Sequence, residues 1–341
     1  MMKRILSLML AMVMTLGTMG ACGNETQPQE STTETTVAQK EEPKQFYKVL
    51  TLGHSLAVDA NHMLALVAKA EGYKGLTVGT LYYSGCPLYK HVQYLKSDAR
   101  EYSLYISNSD EAINPPTIMN DVTMKEAIRY LDWDLIVMQG GTFELAEAKT
   151  FTDGNIQTIQ NYVNENKLNP DAIFAWHMPW AFATEDELRN KYTASANNPY
   201  INGYVPYHHN RLELYEAFTK QVNDFILPDE TFRFLIPTGT AIENAMSSYM
   251  TEFDLIRDYA HANDYGRLIA AYTWYCRLTN LDKLEDIKLT TIPKAFFKST
   301  VSAEDRVLTD IEKAILIESV NNALSTELAV TQSQYTEAPT P

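Results

Sequence analysis

The chain has 341 residues, of which 45% are hydrophobic and 21% charged, and its formal net charge at pH 7 is −15. This composition predicts one large or two small globular domains with a substantial core, and it excludes a membrane-spanning transporter. The acidic balance disfavours nucleic acid and anionic lipid headgroups as partners, so neutral or weakly charged substrates are expected.

The first 21 residues have the pattern of an export signal. The start is basic, residues 5–16 are almost wholly apolar, and small residues precede Cys22, so the segment resembles a bacterial lipobox. A single membrane-spanning helix is the alternative, but the apolar run is short for one. We therefore expect residues 1–21 to be a lipoprotein signal peptide, and Cys22 to be lipidated. The exported protein is then expected on the outer face of a bacterial membrane, held there only by this lipid.

Residues 22–44 are polar and rich in Glu, Gln and Thr, which predicts a disordered tether, and residues 325–341 predict a disordered tail. The folded domain is therefore expected at 45–324. Cys86 and Cys276 each lie in an apolar segment, which favours buried free thiols, with a disulfide as the alternative. Phosphate-binding loops, zinc-spaced clusters and calcium loops are missing from the sequence, so no cofactor or metal is predicted.

Residues 48–57 predict a strand, a tight turn and the start of a helix, with Ser55 on the turn. At the carboxyl end of a parallel strand, such a side chain points to the crevice where open α/β sheets bind ligands, and the next helix directs its amide groups there. Ser55 is therefore a candidate nucleophile. The alternative is an ordinary helix cap, which is the common role of a serine at this position.

Further strands and helices alternate along the chain, and a hairpin excursion and a long lid-like loop ending near 206 interrupt them. The fold class predicted is α/β, a flavodoxin-like, doubly wound, parallel five-stranded sheet with helices on both faces and a small hairpin or lid insertion. The later strands are expected at 76–82, 134–138, 172–176 and 233–237, the hairpin at 102–106 and 116–122, and the helices at 60–70, 125–131, 155–166, 210–225, 266–278 and 302–324. The strand ends then gather Ser55, Gly85, Gln139, His177 and Gly239 at one edge of the sheet.

Acyl transfer by a serine needs a base, an acid that orients this base, and fixed donors for the developing oxyanion. His261 is the candidate base and Asp258, three residues earlier, is the candidate acid. The backbone amides of Ser55 and Gly85 and the side-chain amide of Gln139 are the candidate donors. Asp59 and His62 have the same spacing, but Asp59 is interpreted as a helix cap.

The motifs Gly53-His54-Ser55-Leu56, Ser84-Gly85, Gln139 and Asp258-x-x-His261 resemble, in this order, four conserved blocks of the SGNH (GDSL-type) hydrolases. Over roughly 47–280 the chain is most similar to a bacterial lipoprotein branch known mainly as a domain of unknown function. The resemblance implies a flavodoxin-like fold and a serine esterase or acetylhydrolase with Ser55, His261 and Asp258 as the triad. His54 and Gln139 depart from the family's acid and asparagine at their positions.

The substrate is less well marked than the chemistry. Trp176, His177 and Trp180 are the candidate substrate-binding residues, and Tyr82, Tyr83 and three lid tyrosines could extend an aromatic wall for sugar rings. An O-acetylated carbohydrate is therefore the expected ester, slightly ahead of a lipid or small ester. The alternative function is a cell-surface glycan-binding lipoprotein whose triad is weak or inactive.

Overall fold

The computed structural model describes residues 45–111, 115–182, 210–258, 260–296 and 304–338. A seven-stranded sheet forms its centre. The strands are β1 (Lys48–Gly53), β2 (Thr77–Tyr82), β3 (Tyr102–Asn108), β4 (Thr117–Val122), β5 (Leu135–Met138), β6 (Ile173–His177) and β7 (Phe232–Ile236). Two further strands, β8 (Thr291–Ile292) and β9 (Arg306–Val307), form a separate antiparallel pair.

The spatial order of the sheet is β4-β3-β2-β1-β5-β6-β7. The five strands β2, β1, β5, β6 and β7 run parallel, in the order expected for a flavodoxin-like sheet. β3 and β4 pair antiparallel beside β2 and bring the sheet to seven strands. The prediction of five strands with a separate hairpin excursion is therefore wrong, and the flavodoxin likeness is approximate.

Helices cover both faces of the sheet because successive strand residues point to opposite sides. One core lies under α1, α2, α9, α11 and α12, and the other under α3, α4, α7 and α8. The helices are α1 (Ser55–Asn61), α2 (Leu64–Glu71), α3 (Leu88–Ser97), α4 (Met124–Ile128), α5 (Thr142–Leu145), α6 (Ala148–Thr152), α7 (Asn155–Asn166), α8 (Arg211–Gln221), α9 (Thr238–Met246), α10 (Glu252–Leu255), α11 (Asp264–Thr279) and α12 (Asp310–Ser325).

The C-terminal part departs from the sequence prediction in two ways. The last helix begins after Thr309, whose side chain forms a capping box with Glu312, and not at the expected cap near 302. Residues 326–338 are held against α9, for example by the Thr331 amide on Asn244 and the Tyr249 amide on the Tyr335 carbonyl. The predicted disordered tail is therefore wrong as far as residue 338, because backbone groups of this segment are hydrogen-bonded to the domain.

Cys86 and Cys276 are buried free thiols, which confirms the favoured prediction. Within the described ranges, no helix is long and apolar enough to cross a membrane. The predicted signal peptide, lipidated Cys22 and tether lie outside the described residues, and so does most of the expected lid.

Candidate active site

Ser55 is the first residue of α1 and lies directly after the end of β1. Between Val49 and Ala68, every residue is buried except Ser55, which is half-buried. The flanking residues are fixed by the sheet and by the first core, so the chain presents this one side chain at the carboxyl edge of the sheet. Position and accessibility are those required of a nucleophile.

His54 caps the helix that Ser55 begins. Its Nδ1 accepts from the Leu56 amide at 3.4 Å, so Nε2 carries the proton and donates to the Gly140 carbonyl at 3.3 Å. Burial lowers the pKa of His54 to about 4, with a smaller contribution from nearby His261. The ring is therefore neutral at pH 7, and it joins the turn of Ser55 to the loop after β5.

Asp258 and His261 form a hydrogen-bonded pair in the turn before α11. His261 Nδ1 lies 2.9 and 3.0 Å from the two carboxylate oxygens of Asp258, and the His261 and Ala260 amides donate to Asp258 Oδ1. Burial would raise the pKa of Asp258, but the bonds and charge of His261 and the two amides outweigh it and lower the pKa to about 2. An ionised carboxylate thus orients the imidazole through Nδ1 and leaves Nε2 as the ring atom that can take a proton.

The turn that carries this pair is tied to the helix of Ser55. Arg257 Nη1 donates to Asp59 Oδ2 at 2.9 Å and also to the Ala262 carbonyl. On the other side, Trp180 Nε1 donates to the Ala260 carbonyl at 2.6 Å. Asp59 lies one helical turn after Ser55, so the bond from Arg257 ties the turn of His261 to the helix that Ser55 begins.

Asp59 and His62, the other pair with this sequence spacing, bond to other parts of the chain. Asp59 is fully buried in the middle of α1 and also accepts two bonds from buried Arg267, so its interpretation as a helix cap is wrong. His62 lies at the end of α1, and its Nε2 is 3.0 Å from the Phe296 carbonyl. Its ring packs edge-on against the Phe296 ring, and Arg267 Nη1 donates to the same Phe296 carbonyl at 3.4 Å.

Three donors surround the carboxyl ends of β1, β2 and β5. The Ser55 amide, as the first of α1, and the Gly85 amide have no acceptor among the residues described. Gly85 adopts φ +56°, a conformation that glycine reaches without strain, in the turn after β2. Gln139 contributes a side-chain amide directly after β5.

Gln139 is fully buried and both ends of its side chain are engaged. Oε1 accepts from the His54 amide at 3.3 Å, so Nε2 faces His177 Nδ1 at 3.0 Å. His177 then carries its proton on Nε2, which has no hydrogen-bond partner in the described part of the chain, and its ring lies edge-on to Trp274. These two bonds fix the direction of the side chain, and the second N–H of Nε2 has no acceptor among the residues described.

The three predicted substrate-binding residues are core residues. Trp176, His177 and Trp180 are each 0% exposed. Trp176 lies on the face of the sheet opposite to α1, where its ring packs against Phe151 and Phe232. The predicted surface made of these residues is corrected: their rings stabilise the strand ends and the turn of His261. Tyr82 ends β2 and Tyr83 follows it, both half-buried, and the lid tyrosines lie outside the described residues.

Sequence reasoning missed Arg257 and Glu144. Glu144 accepts from the Gly141 amide and from the Leu88 amide, and so joins the loops after β5 and β2. The capping-box position of Glu144 near the start of α5 was a local signal, whereas nothing local marks Arg257. The part of the chain that the structure describes holds no group of three or more His, Cys, Asp or Glu arranged for a metal ion.

The fold and these residues define an α/β protein with a half-buried serine directly after the first parallel strand and a hydrogen-bonded His–Asp pair in a turn tied to the same helix. Residues 48–293 match the family DUF4886, a domain of unknown function, and the chain belongs to this family. It is similar in structure to a DUF4886 family protein from Bacteroides uniformis, with 23% identity and a TM-score of 0.67 over 85% of this chain and 99% of that one.

Two other solved structures are more distant. A candidate SGNH hydrolase from Slackia heliotrinireducens has 16% identity and a TM-score of 0.40 over 66% of this chain and 95% of its own. A salicylyl-acyltransferase from a tetracycline biosynthetic pathway has 16% identity and a TM-score of 0.36 over 71% of this chain and 56% of its own. No curated protein matches the sequence.

Proposed function

We propose that the protein is a serine ester hydrolase of the SGNH type. The observation that carries the proposal is that Ser55, the one half-buried residue between Val49 and Ala68, begins the helix to which the turn of a His–Asp pair is tied. Three amide donors near the strand ends support the same chemistry. Ser55, His261 and Asp258 are the proposed triad.

In the first half of the reaction, Ser55 Oγ attacks the ester carbonyl carbon while its proton passes to His261 Nε2. The negative charge that develops on the carbonyl oxygen is stabilised by the amides of Ser55 and Gly85 and by the remaining N–H of Gln139. When the tetrahedral intermediate collapses, the alcohol leaves with the proton held by His261. The product of this step is an acyl-Ser55.

In the second half, a water molecule loses its proton to His261 Nε2 and attacks the acyl carbon. Collapse of the second tetrahedral intermediate releases the acid, and the proton returns to Ser55 Oγ. Ionised Asp258 stabilises the imidazolium in both halves, consistent with its lowered pKa of about 2. The same three amides serve both oxyanions because the carbonyl oxygen occupies the same place.

The substrate we propose is an O-acetylated carbohydrate. The net charge of −15 disfavours strongly anionic substrates, and half-buried Tyr82, which pairs in register with Gly53, can offer a ring face next to the nucleophile turn. Trp176 and Trp180 are buried, so their rings do not offer a surface to a sugar. The carbohydrate proposal therefore depends on the tyrosines.

We also propose that the protein is exported and anchored to the outer face of a bacterial membrane through a lipid on Cys22. The support is the basic start, the apolar run and the small residues before this cysteine. Mass spectrometry of the mature amino terminus tests it. A lipid-bearing Cys22 is expected, and an uncut Met1 or a cut elsewhere contradicts it.

Hydrolysis of a chromogenic acetyl ester by single and double alanine variants tests the triad. Ser55→Ala and His261→Ala should each lower kcat by at least about 10³-fold, since either change removes the activated nucleophile. The double variant should lose hardly more, because a base without its nucleophile has nothing to activate. His62→Ala is the matched control and should keep its activity, because His62 faces Phe296.

Two results would overturn the proposal. Activity that survives Ser55→Ala contradicts a serine mechanism, and activity lost in His62→Ala but kept in His261→Ala means that the wrong histidine was chosen. Binding of a glycan without turnover in the wild type, unaffected by Ser55→Ala, would favour the alternative of an anchored glycan-binding lipoprotein.

A further inference from the structure

A single carboxylate bridges two of the loops that carry the proposed oxyanion donors. Glu144 Oε1 accepts from the Leu88 amide at 3.0 Å and from the Gly141 amide at 2.8 Å. Leu88 begins α3, three residues after Gly85, and Gly141 lies two residues after Gln139. The carboxylate thus sets the spacing between the two loops.

The loop after β5 is held from its other side as well. His54 Nε2 donates to the Gly140 carbonyl at 3.3 Å, which joins this loop to the turn of Ser55. The loop also packs closely on α5 at Gly140, where an added Cβ would lie 2.5 Å from Leu145 Cδ2 and 3.4 Å from Glu144 Oε1. His54 and Glu144 therefore connect all three loops that end at the candidate site.

We propose that Glu144 is a positioning residue that clamps the Gly85 loop to the Gln139 loop, so that their donors point at the same oxyanion. This inference rests on the proposed function. Glu144 itself touches neither substrate nor reacting atoms. Its effect is on the geometry of groups that bind the charge in the transition state, and a displacement of about 1 Å in such a group can cost about 10²-fold in rate.

The hydrogen bonds of Glu144 define which substitutions test its geometry separately from its charge. Burial raises the pKa of Glu144 to about 7, although the two backbone amides oppose the shift, so the clamp has to work without a full negative charge. Oε1 accepts from both amides, and Oε2 is a second, longer acceptor for the Leu88 amide at 3.3 Å. The side-chain carbonyl of glutamine can take the place of Oε1. Glu144→Gln should therefore preserve the clamp. Glu144→Ala removes it, and Glu144→Asp shortens its reach by one methylene.

The test combines acetyl-ester kinetics with amide hydrogen exchange measured by NMR. Glu144→Ala and Glu144→Asp should lower kcat by about 10- to 10²-fold with KM changed less than about 3-fold, since binding in the ground state is untouched. The Leu88 and Gly141 amides should exchange faster in both variants. Glu144→Gln should restore kcat and slow exchange to near wild-type values.

Glu126→Ala is the matched control. Glu126 occupies the same capping-box position in α4, where it accepts from the Thr123 amide and pairs with exposed Arg100. It should leave kcat and both exchange rates unchanged.

Unchanged exchange at Leu88 and Gly141 in Glu144→Ala, or an equal loss of kcat in Glu126→Ala, would overturn the clamp. If the wild type shows no turnover that Ser55→Ala abolishes, the proposed function fails. The exchange rates then still decide whether Glu144 holds the two loops together.

Discussion

Removal of the Asp59 carboxylate is the sharpest test of how the candidate site is built. Asp59 Oδ1 accepts from Arg267 Nε at 3.1 Å and Nη2 at 2.6 Å, and Oδ2 accepts from Arg257. The side chains of Asp59 and Arg267 are fully buried, and that of Arg257 is 19% exposed. Asp59→Ala leaves the Arg267 guanidinium in the core without its main counter-charge.

The expected loss in the free energy of unfolding is about 3–5 kcal/mol, the range for breaking a buried ion pair from one side. After the change, Arg267 retains a long bond to the Phe296 carbonyl at 3.4 Å and an approach to Asp264 at 3.8 Å, too little to compensate. The total free energy of unfolding of a domain of this kind is about 5–15 kcal/mol, so Asp59→Ala removes a large fraction of it. Asp59→Asn keeps the shape and one acceptor and should cost about 1.5–3 kcal/mol.

Urea unfolding followed by circular dichroism measures both changes, and a constant m-value is needed for the comparison. Asp132→Ala is the matched control. Asp132 pairs with Lys48 at 2.7 Å, but the two side chains are 60% and 37% exposed. An exposed pair contributes at most about 1 kcal/mol, because water and salt screen it.

A loss below about 1 kcal/mol in Asp59→Ala, or one no larger than in Asp132→Ala, would refute the reasoning. The same variant should also lower esterase activity in its folded fraction, because Arg257 would no longer tie the turn of His261 to α1. Full activity in that fraction would show that the turn is held by Trp180 and its own bonds alone.

Two further predictions concern the turn of Ser55 and the clamp. Gly53→Ala should lower kcat and lower the free energy of unfolding by about 1–3 kcal/mol, because the new Cβ would lie 2.7 Å from Gln139 Oε1 and 2.8 Å from Ala57 Cβ. Thermal unfolding and ester kinetics measure the two effects. A variant that matches the wild type in kcat and in stability contradicts this close packing. The pKa of Glu144 is raised from 4.5 in the unfolded chain to about 7 in the folded protein, so the folded state binds more protons between these two pH values. The free energy of unfolding should therefore fall by up to about 3 kcal/mol as the pH rises from 4.5 to 7. Urea unfolding at several pH values should show a flatter profile for Glu144→Gln, and equal slopes would contradict it.

The parallel core of the sheet could be predicted from the sequence because the signals there are local. Continuous apolar runs such as 135–138 are typical of strands buried on both faces, and helical segments between them enforce parallel crossovers. The hairpin gave a weaker signal. β4 is exposed at every residue except Val122, so nothing in its composition distinguishes an edge strand of the main sheet from an excursion.

For the candidate site, the sequence allows residues to be proposed but says little about what surrounds them. The sequence order of Ser55, Gly85, Gln139 and the pair Asp258 and His261 was enough to propose their proximity. Whether an aromatic residue at a strand end faces solvent or core depends on what packs over it. Trp176 and Trp180 illustrate this, since elements from other parts of the chain bury both.

The supporting contacts were beyond local reasoning because they join distant parts of the chain. Asp59 is separated from Arg257 by 198 residues and from Arg267 by 208, so the spacing of Asp59 and His62 invited a different interpretation. With the fold known, the same carboxylate becomes the link between the helix of Ser55 and the turn of His261.

Asp59 and Glu144 solve the same geometric problem for the two halves of the proposed machinery. Asp59 relates the base to the nucleophile helix through Arg257, and Glu144 relates the oxyanion donors to one another. Buried carboxylates are a poor choice for stability alone, since apolar residues of similar volume often stabilise a core as well or better. Hydrogen-bonded carboxylates instead fix direction and distance. We therefore propose that Asp59 and Glu144 supply the positional accuracy that the proposed acyl transfer requires.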